Sequence, residues 1–364
     1  MSSTTIPASP ASVTPEWLTG VLRADGCIGS FTSVREVRVA PMRDTPGLPG
    51  LVARLTITYD RADQGAPRSL VGKFPAGPPE SRAAGDSLRI YEREVRFYRE
   101  VAHRTSAATP RCYAAEMDLE QGRFCVLVED VSHSRVGDAL VGCRASDART
   151  ALLGLAQLQA AWWETPELDA LDWMPSIDSP LSGPAMDSFS EAVSPFMSVF
   201  ARRLPPSVRG AVFRLDEIGR AVAEHLARPP RTIVHNDFRL DNVLFPRRPR
   251  MPVTIIDWQL SSRGRGVFDV ASFLASSLEP AERETAELPI LRDYHDVLKD
   301  AGVSGYPFEE LVGDYRRGLL LAMARTVTRA SALDVDNERA VALVGTMAER
   351  CAAAVDHHRA LDLV

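Results

Sequence analysis

Long hydrophobic runs are missing from this 364-residue sequence. No run approaches the roughly 20 consecutive apolar residues that a transmembrane helix needs, so we expect no membrane span. The first dozen residues are rich in Ser, Thr, Pro and Ala, and they lack the basic and apolar regions of a secretory signal. Residues 1–13 are therefore predicted to form a flexible N-terminal tail, and the protein is expected to be cytoplasmic.

Cysteine is sparse, and positive charge is not in excess. The five cysteines are scattered along the chain without CxxC spacing, which favours reduced, buried thiols over a disulfide framework or a zinc site. The formal net charge of −6 argues against a dedicated nucleic-acid binder, whose surface would be basic. The composition is otherwise that of an ordinary globular protein, and it does not indicate an oligomeric state.

The hydrophobic patterns divide the chain into a β-rich first part and a helical second part. Strand patterns occur at Val34–Val39, Leu51–Tyr59, Ser69–Phe74 and Phe124–Val128, and a helix is predicted from Ser87 to Arg104. Helical periodicity dominates from Ser146, whereas residues 165–210 are poorly periodic. The helices predicted in the second part are Ala148–Trp163, Leu215–Ala227, Asp269–Leu278, Pro289–Ala301, Phe308–Ala332 and Asn337–Leu361.

Polar residues flank two short apolar runs in the second part. The first stretch, IVHNDFRLDNVLF, covers residues 233–245, and the second, VTIIDW, covers residues 253–258. If the runs pair as an antiparallel hairpin through the loop Pro246–Pro252, Asn242 and Asp257 lie side by side at its open end. Their oxygen atoms, with Asp237 close by, are ligands that suit a hard cation such as Mg²⁺.

The order of these features resembles the protein-kinase-like superfamily. A β lobe carries a lone strand lysine, a helix carries a glutamate, and a helical lobe carries HxDxxxxN and then IDW. The chain is most similar to the aminoglycoside phosphotransferase and choline-kinase-like branch, close to the ecdysteroid-kinase-like and acyl-CoA-dehydrogenase-associated kinases. The resemblance implies a bilobal α+β fold, with a small antiparallel β N-lobe at 14–131 that includes one helix, and a larger, mostly helical C-lobe at 132–364.

The resemblance also implies roles for residues of the C-lobe. Asp237 matches the catalytic aspartate, which accepts or orients the proton of the attacking hydroxyl. Arg239 stands where many kinases have a lysine that contacts the transferring phosphoryl group, although it could instead hold a nearby carboxylate. Asn242 and Asp257 match the ligands of Mg²⁺, and His235 matches a structural histidine.

In the N-lobe, the resemblance implies a nucleotide site. Lys73 looks like the lysine that binds the phosphates of ATP, or of GTP, and Glu94 looks like its helix partner. Glu129 and Val131 belong to the segment whose backbone groups would bind adenine. The loop Arg43–Gly50 lacks the GxGxxG pattern, so its phosphate contacts cannot be assigned by letter.

Three further positions of the C-lobe bear on the resemblance. Asn236 stands where the branch usually has glycine, and Gln159 replaces a histidine that is common in its LAxLHA helix. Asp269 matches the structural aspartate that caps the next helix. These differences affect packing near the catalytic loop more than they affect the chemistry.

The function expected from the sequence is an ATP-dependent phosphotransferase acting on a hydroxyl of a small molecule, such as an antibiotic or another natural-product-like alcohol. The alternative is a catalytically weak, nucleotide-binding pseudokinase with a regulatory role, against which the intact set of site residues argues. A metal-dependent phosphohydrolase using His235, Asp237 and Asp257 would need further ligand pairs, which the other histidines do not supply. The aromatic residues of the 160–200 segment slightly favour an apolar alcohol or a hydroxyacyl compound over a polycationic aminoglycoside.

Overall fold

The computed structural model describes residues 5–42, 50–61, 63–75, 85–105, 109–182, 188–247 and 252–364. The chain divides into two compact units, residues 1–133 and residues 134–364. The first unit is built on a five-stranded antiparallel sheet, and the second is mostly helical. The loop Arg43–Gly50 and the turn of the predicted hairpin fall largely outside the described residues.

The first unit begins with helix α1 (Pro15–Ala24) and continues into a sheet of five strands with the order β1-β2-β3-β5-β4. Helix α2 (Ile90–Arg96) lies between β3 and β4 and continues through a π-helical turn, Phe97–Val101, and a 3-10 turn, Ala102–Arg104. The strands are β1 (Val34–Pro41), β2 (Leu51–Tyr59), β3 (Ser69–Phe74), β4 (Cys112–Asp118) and β5 (Arg123–Glu129). The predicted strands and the helix between them are confirmed.

Strand β4 was not predicted from the sequence. Its sequence, CYAAEMD, contains two alanines and two acids, which have low β propensity and break the alternating pattern. Pairing with β5 makes this segment a strand, since Ala115 lies opposite Val126 in the antiparallel register. Tertiary context has therefore overridden a weak local signal.

One hydrophobic cluster of the first unit lies between helix α1 and the sheet. The side chain of Thr14 caps the helix by accepting a hydrogen bond from the backbone N–H of Trp17 at 3.1 Å. Trp17 and Leu18 are buried in a cluster that the sheet completes with residues such as Leu55. Ile6 and Val13, from the segment predicted as a tail, also pack into this cluster.

The second unit contains nine α-helices of five residues or more among the described residues, with short strands between them. The helices are α3 (Ala145–Ala161), α4 (Pro166–Ala170), α5 (Phe189–Phe200), α6 (Pro206–Ala211), α7 (Leu215–Leu226), α8 (Val267–Ser277), α9 (Pro280–Asp300), α10 (Phe308–Thr328) and α11 (Glu338–His357), of which α4 forms little more than one turn. The strands are β6 (Arg135–Val136), β7 (Thr232–Val234), β8 (Val243–Phe245), β9 (Thr254–Ile255) and β10 (Ser262–Gly264).

Two predictions about these helices are wrong, and proline is the reason for both. The 165–210 segment, predicted to be irregular, contains α4, α5 and α6, with Pro195 inside α5. Helix α9 begins at Pro280, and Pro289, the predicted start, lies in its interior. Proline is favoured in the first turn of a helix and disfavoured in its interior. Pro195 and Pro289 both lie inside helices, so the usual rule misled the prediction for α5 and for the start of α9.

Most aromatic residues of the 160–200 segment belong to the core, whereas Trp163 is half-buried. Trp162, Trp173 and Phe196 are at most 2% exposed, so they do not form an open apolar wall. The five cysteines are free thiols, as predicted, and burial raises the pKa of Cys351 to about 11. No helix in the described ranges is long and apolar enough to cross a membrane.

Candidate active site

The loop between strands β7 and β8 is held in place by a buried aspartate. Asp269, in the first turn of α8, accepts hydrogen bonds from the backbone N–H groups of His235 at 2.7 Å and Asn236 at 2.9 Å. Asp269 is fully buried, and burial raises its pKa to about 7, although these hydrogen bonds act in the opposite direction. The two hydrogen bonds fix the backbone immediately before Asp237.

His235 connects this loop to the hairpin that follows it. Its Nδ1 atom accepts the backbone N–H of Asp237 at 3.3 Å, so its proton lies on Nε2, which donates to the carbonyl oxygen of Ile256 at 2.9 Å. Burial lowers the pKa of His235, which keeps the ring neutral. His235 is thus a structural residue, because both of its ring nitrogens are engaged and neither has a lone pair available for a metal.

Asn236 adopts a backbone conformation that explains its position in the loop. Its φ is +67°, a left-handed value that favours glycine and, among other residues, asparagine. Its side-chain amide donates to the carbonyl oxygen of Leu260 at 3.0 Å and to the hydroxyl of Ser262 at 2.6 Å, and it accepts from Arg325 at 2.9 Å. The residue that replaces glycine thus adds three hydrogen bonds to the loop.

Gln159 occupies the position at which the branch commonly has histidine. Its Nε2 group lies within hydrogen-bond distance of the carbonyl oxygen of Gly266 at 3.1 Å and of Asp269 at 3.3 Å. Its carbonyl oxygen accepts the hydroxyl of Tyr294 at 2.5 Å. Gln159 therefore belongs to the hydrogen-bond network around Asp269.

The predicted hairpin is confirmed, and it carries Asn242 and Asp257 at its open end. Strands β8 and β9 are antiparallel with Val243 opposite Ile255, and the N–H of Ile256 donates to the carbonyl oxygen of Asn242 at 3.0 Å. Asp257 follows directly in a left-handed conformation, with φ +68°. The backbone register thus brings these two candidate ligands to the same end of the hairpin.

The oxygen atoms of this pair are suitable for a divalent cation. The Nδ2 group of Asn242 donates to the backbone oxygen of Asp237 at 2.9 Å and to its carboxylate at 3.2 Å. Because the amide nitrogen is engaged there, the amide oxygen is the atom that Asn242 can offer to a ligand. A carboxylate and an amide oxygen form a donor set for Mg²⁺, so these residues fit the metal that the resemblance implies.

Asp237 lies between two arginines. Arg239 donates to one carboxylate oxygen at 3.1 Å, and Arg329 donates to the other at 2.8 Å. Burial alone would raise the pKa of Asp237, but the two guanidinium groups outweigh burial and lower its pKa to about 2. The carboxylate is therefore ionised at any physiological pH.

Arg239 bridges two carboxylates, since it also donates to Asp241 at 2.9 Å. This contact agrees with the alternative that Arg239 holds nearby acids, and it leaves the predicted contact with a phosphoryl group untested. Arg329, from the turn after helix α10, was not found from the sequence. A signal existed: Arg325 and Arg329 are spaced four residues apart along an apolar helix, which places them on one face.

In the first unit, Lys73 and Glu94 form the predicted ion pair. The Lys73 Nζ atom lies 2.6 Å from a carboxylate oxygen of Glu94, and both side chains are largely buried, with 12% and 4% exposed. Lys73 lies on strand β3 between Val52 and Val126 of the neighbouring strands. Lys73 is thus held in the middle of a sheet and Glu94 on a helix, so both partners of the ion pair are placed by regular elements.

Glu129 and Val131 lie at the end of the first unit. Glu129 is the last residue of strand β5, and its backbone N–H donates to the backbone carbonyl oxygen of Arg111 at 2.8 Å. Between them, Asp130 forms an ion pair with Arg54 at 2.9 Å. Their predicted contact with adenine stays a prediction.

The chain is similar to several known proteins. Residues 49–302, more than half of the chain, match the sequence model of the Ecdysteroid kinase-like family. The chain is 37% identical over 87 residues to mouse Acyl-CoA dehydrogenase family member 10, and 23% identical over 159 residues to rat Acyl-CoA dehydrogenase family member 11. These matches span only 8% and 19% of the lengths of those proteins.

Two solved structures have the same fold across nearly the whole chain. Choline kinase from Cryptosporidium parvum Iowa II has a TM-score of 0.54 at 10% identity, covering 96% of both chains. Aminoglycoside 2'-phosphotransferase-IIIa, solved as a GDP complex, has a TM-score of 0.54 at 15% identity, covering 93% of this chain and 98% of its own. At such identities the likeness concerns the fold, and the predicted kinase-like α+β fold is confirmed.

Proposed function

Since the chain belongs to the ecdysteroid kinase-like family, we propose that it transfers the γ-phosphate of ATP to a hydroxyl group of a small molecule. The observation that supports this most is the placement of Asp237. Asp269 fixes the loop before it, Asn242 fixes its carboxylate, and the hairpin brings Asp257 next to Asn242 in the sheet register. Phosphoryl transfer depends mainly on positioning of this kind.

In the proposed reaction, Asp237 orients the acceptor. The hydroxyl donates its proton in a hydrogen bond to the carboxylate, which directs the oxygen lone pair at the γ-phosphorus. The new oxygen–phosphorus bond forms as the bond to the β–γ bridging oxygen breaks, and ADP leaves with that electron pair. Because the pKa of Asp237 is lowered to about 2, the carboxylate does not retain the proton, which is released to water with the products.

Other residues hold the nucleotide in this proposal. Lys73, positioned by Glu94, binds phosphate oxygens, and backbone groups of Glu129 and Val131 bind the adenine. Asn242 and Asp257 hold Mg²⁺, which when bound neutralises charge on the transferred phosphates. GTP is a second candidate donor, since the similar aminoglycoside 2'-phosphotransferase-IIIa was solved with GDP.

An ADP-release assay tests the proposal. Aminoglycosides, nucleoside antibiotics, sterols, choline and hydroxyacyl thioesters are offered with ATP and Mg²⁺. Asp237→Ala should lower kcat by at least a thousandfold while the affinity for nucleotide is retained, and Asp257→Ala should abolish binding of Mg²⁺-nucleotide in calorimetry. Wild-type turnover by the first variant, or unchanged affinity in the second, would contradict the assigned roles.

The same assay separates the enzyme from the pseudokinase alternative. A pseudokinase would bind the nucleotide without releasing ADP for any acceptor, and Asp237→Ala would then have no measurable effect. The kinase predicts release that depends on both the acceptor and Asp237. Arg339→Gln is a suitable control, because Arg339 forms an exposed ion pair with Asp138.

A further inference from the structure

The side chain of Arg329 is more exposed to solvent than those of the other arginines around Asp237. Arg239 is 13% exposed and bridges two carboxylates. Arg325 is 8% exposed, stacks on the ring of Phe268 and donates to Asn236 and to a backbone carbonyl. The side chain of Arg329 is 32% exposed, and among the residues that the structure describes it makes one ion pair, with Asp237.

A guanidinium group has five N–H donors in a planar fork. The ion pair of Arg329 with Asp237 uses its terminal NH2 nitrogen, so other donors of the fork remain for a ligand. An acceptor hydroxyl that hydrogen-bonds to Asp237 must therefore lie beside an accessible positive charge. Arginine with free donors at a partly exposed site binds carboxylates well, often in a bidentate manner.

The same charge opposes a cationic acceptor. An ammonium group next to the reacting hydroxyl would approach the guanidinium of Arg329. Of the acids that could attract a polycation, Asp178 and Glu191 are exposed to solvent, Glu279 is engaged by Arg350, and Asp187 lies outside the described residues. Arg239 is already bridged to Asp241 and Asp257 is a candidate metal ligand, so the charge beside Asp237 that an acceptor can meet is the guanidinium of Arg329, which favours a negative group.

We propose that the acceptor is a hydroxylated carboxylate, and that Arg329 binds its carboxylate while the hydroxyl donates to Asp237. This inference rests on the proposed phosphotransferase function, which it narrows to a substrate class. Arg329 then determines specificity, because an acceptor without a carboxylate cannot bind the accessible N–H groups of Arg329 in this way. The phosphoryl transfer itself is the same as in the proposed function.

Matched acceptor pairs test this directly. Glycolate, lactate, mandelate and salicylate are each compared with the corresponding neutral amide, with choline as the cationic alcohol, in the ADP-release assay. The best hydroxycarboxylate should exceed its amide in kcat/KM, and Arg329→Gln should lower kcat/KM for the carboxylate by about tenfold to a hundredfold, mainly through KM. Because Arg329 also contacts Asp237, Arg329→Gln should lower kcat for both members of a pair by the same factor. Only the carboxylate should show the additional rise in KM, and Arg339→Gln should change neither constant.

A second readout does not need turnover. Phenylglyoxal labels accessible arginines, and peptide mass spectrometry reports the labelling of Arg329 in wild-type protein with Mg²⁺ and a non-hydrolysable ATP analogue. Hydroxycarboxylates should protect Arg329, and their amides should not. Arg329→Lys keeps the charge, so it should retain the preference for carboxylates if Arg329→Gln fails to fold.

Several results would overturn the inference. These are a neutral or cationic best acceptor, the same loss of kcat/KM for both members of a pair in Arg329→Gln, and the absence of protection by every carboxylate. Failure of the proposed function looks different: carboxylates would still protect Arg329, but no acceptor would release ADP.

Discussion

The backbone conformation at Asn236 predicts an unusual order of stability for two simple variants. Asn236→Ala and Asn236→Gly both remove the same three side-chain hydrogen bonds, including the one that satisfies buried Arg325. Neutral hydrogen bonds contribute about 1 kcal/mol each and charged ones about 2 kcal/mol, so both variants should lose about 3–5 kcal/mol. The two differ in the backbone term alone.

That backbone term should make glycine the better replacement. At φ +67° a residue with a Cβ atom is strained by about 1–2 kcal/mol, which glycine avoids, while glycine loses up to about 1 kcal/mol through the entropy of the unfolded chain. Asn236→Gly should therefore be more stable than Asn236→Ala by about 1 kcal/mol. The assay is thermal unfolding followed by circular dichroism, where this difference is a few degrees at most.

A second pair of variants provides the control. Gln157 is an exposed amide residue inside helix α3, where alanine should be more stable than glycine by about 1 kcal/mol. Glycine is thus expected to give the more stable variant at position 236, and alanine the more stable variant at position 157. If Asn236→Ala is as stable as Asn236→Gly, the left-handed conformation does not constrain this loop, and the explanation for asparagine at this position fails.

Three further predictions concern the ion pairs and the network behind the loop. Glu94→Gln should raise the KM for ATP at least fivefold with little change in the KM for the acceptor, because Lys73 loses its partner at 2.6 Å; equal changes in both constants would contradict this role. Asp237 has a pKa lowered to about 2, so its ionisation stabilises the fold above about pH 4, and this contribution is lost as the pH falls towards 2. The stability difference between wild type and Arg329→Gln should shrink over that range in an acid titration, and a constant difference would argue against the pairing. Gln159→Leu should destabilise the protein by about 2–4 kcal/mol in urea unfolding, because it leaves buried polar groups without partners, whereas a neutral effect would mean that water replaces the amide.

The sequence was most informative where a motif and a strand pattern coincide. The runs around Asn242 and Asp257 predicted a hairpin, and the pattern around Lys73 predicted a strand, because short-range patterning largely determines such elements. Fold and family followed from the order of these motifs. Local patterning could not identify β4, whose weak strand signal is overridden by pairing with β5.

The surroundings of Asp237 could be predicted only in part, since they come from distant parts of the chain. Arg239 lies two residues away and was identified. Arg329 lies 92 positions further along and reaches Asp237 only because helix α10 ends beside the loop. Local sequence patterns do not indicate a contact between residues so far apart. Two arginines on one face of an apolar helix do suggest that their charges are buried and paired with acidic groups.

The charge around Asp237 bears on how such a site could catalyse at neutral pH. A general base is most effective when its pKa lies near the working pH, and two arginines hold Asp237 far below that range. Both arginines would slow the reaction if its rate depended on proton abstraction by Asp237, because they make the carboxylate a weak base. They are useful if the step depends on placing an oxygen atom and on stabilising negative charge as the phosphoryl group moves, because fixed donors need no reorganisation during the reaction. The site is thus better suited to hold its reactants in line than to remove a proton, and its selectivity should reside in the groups that flank Asp237.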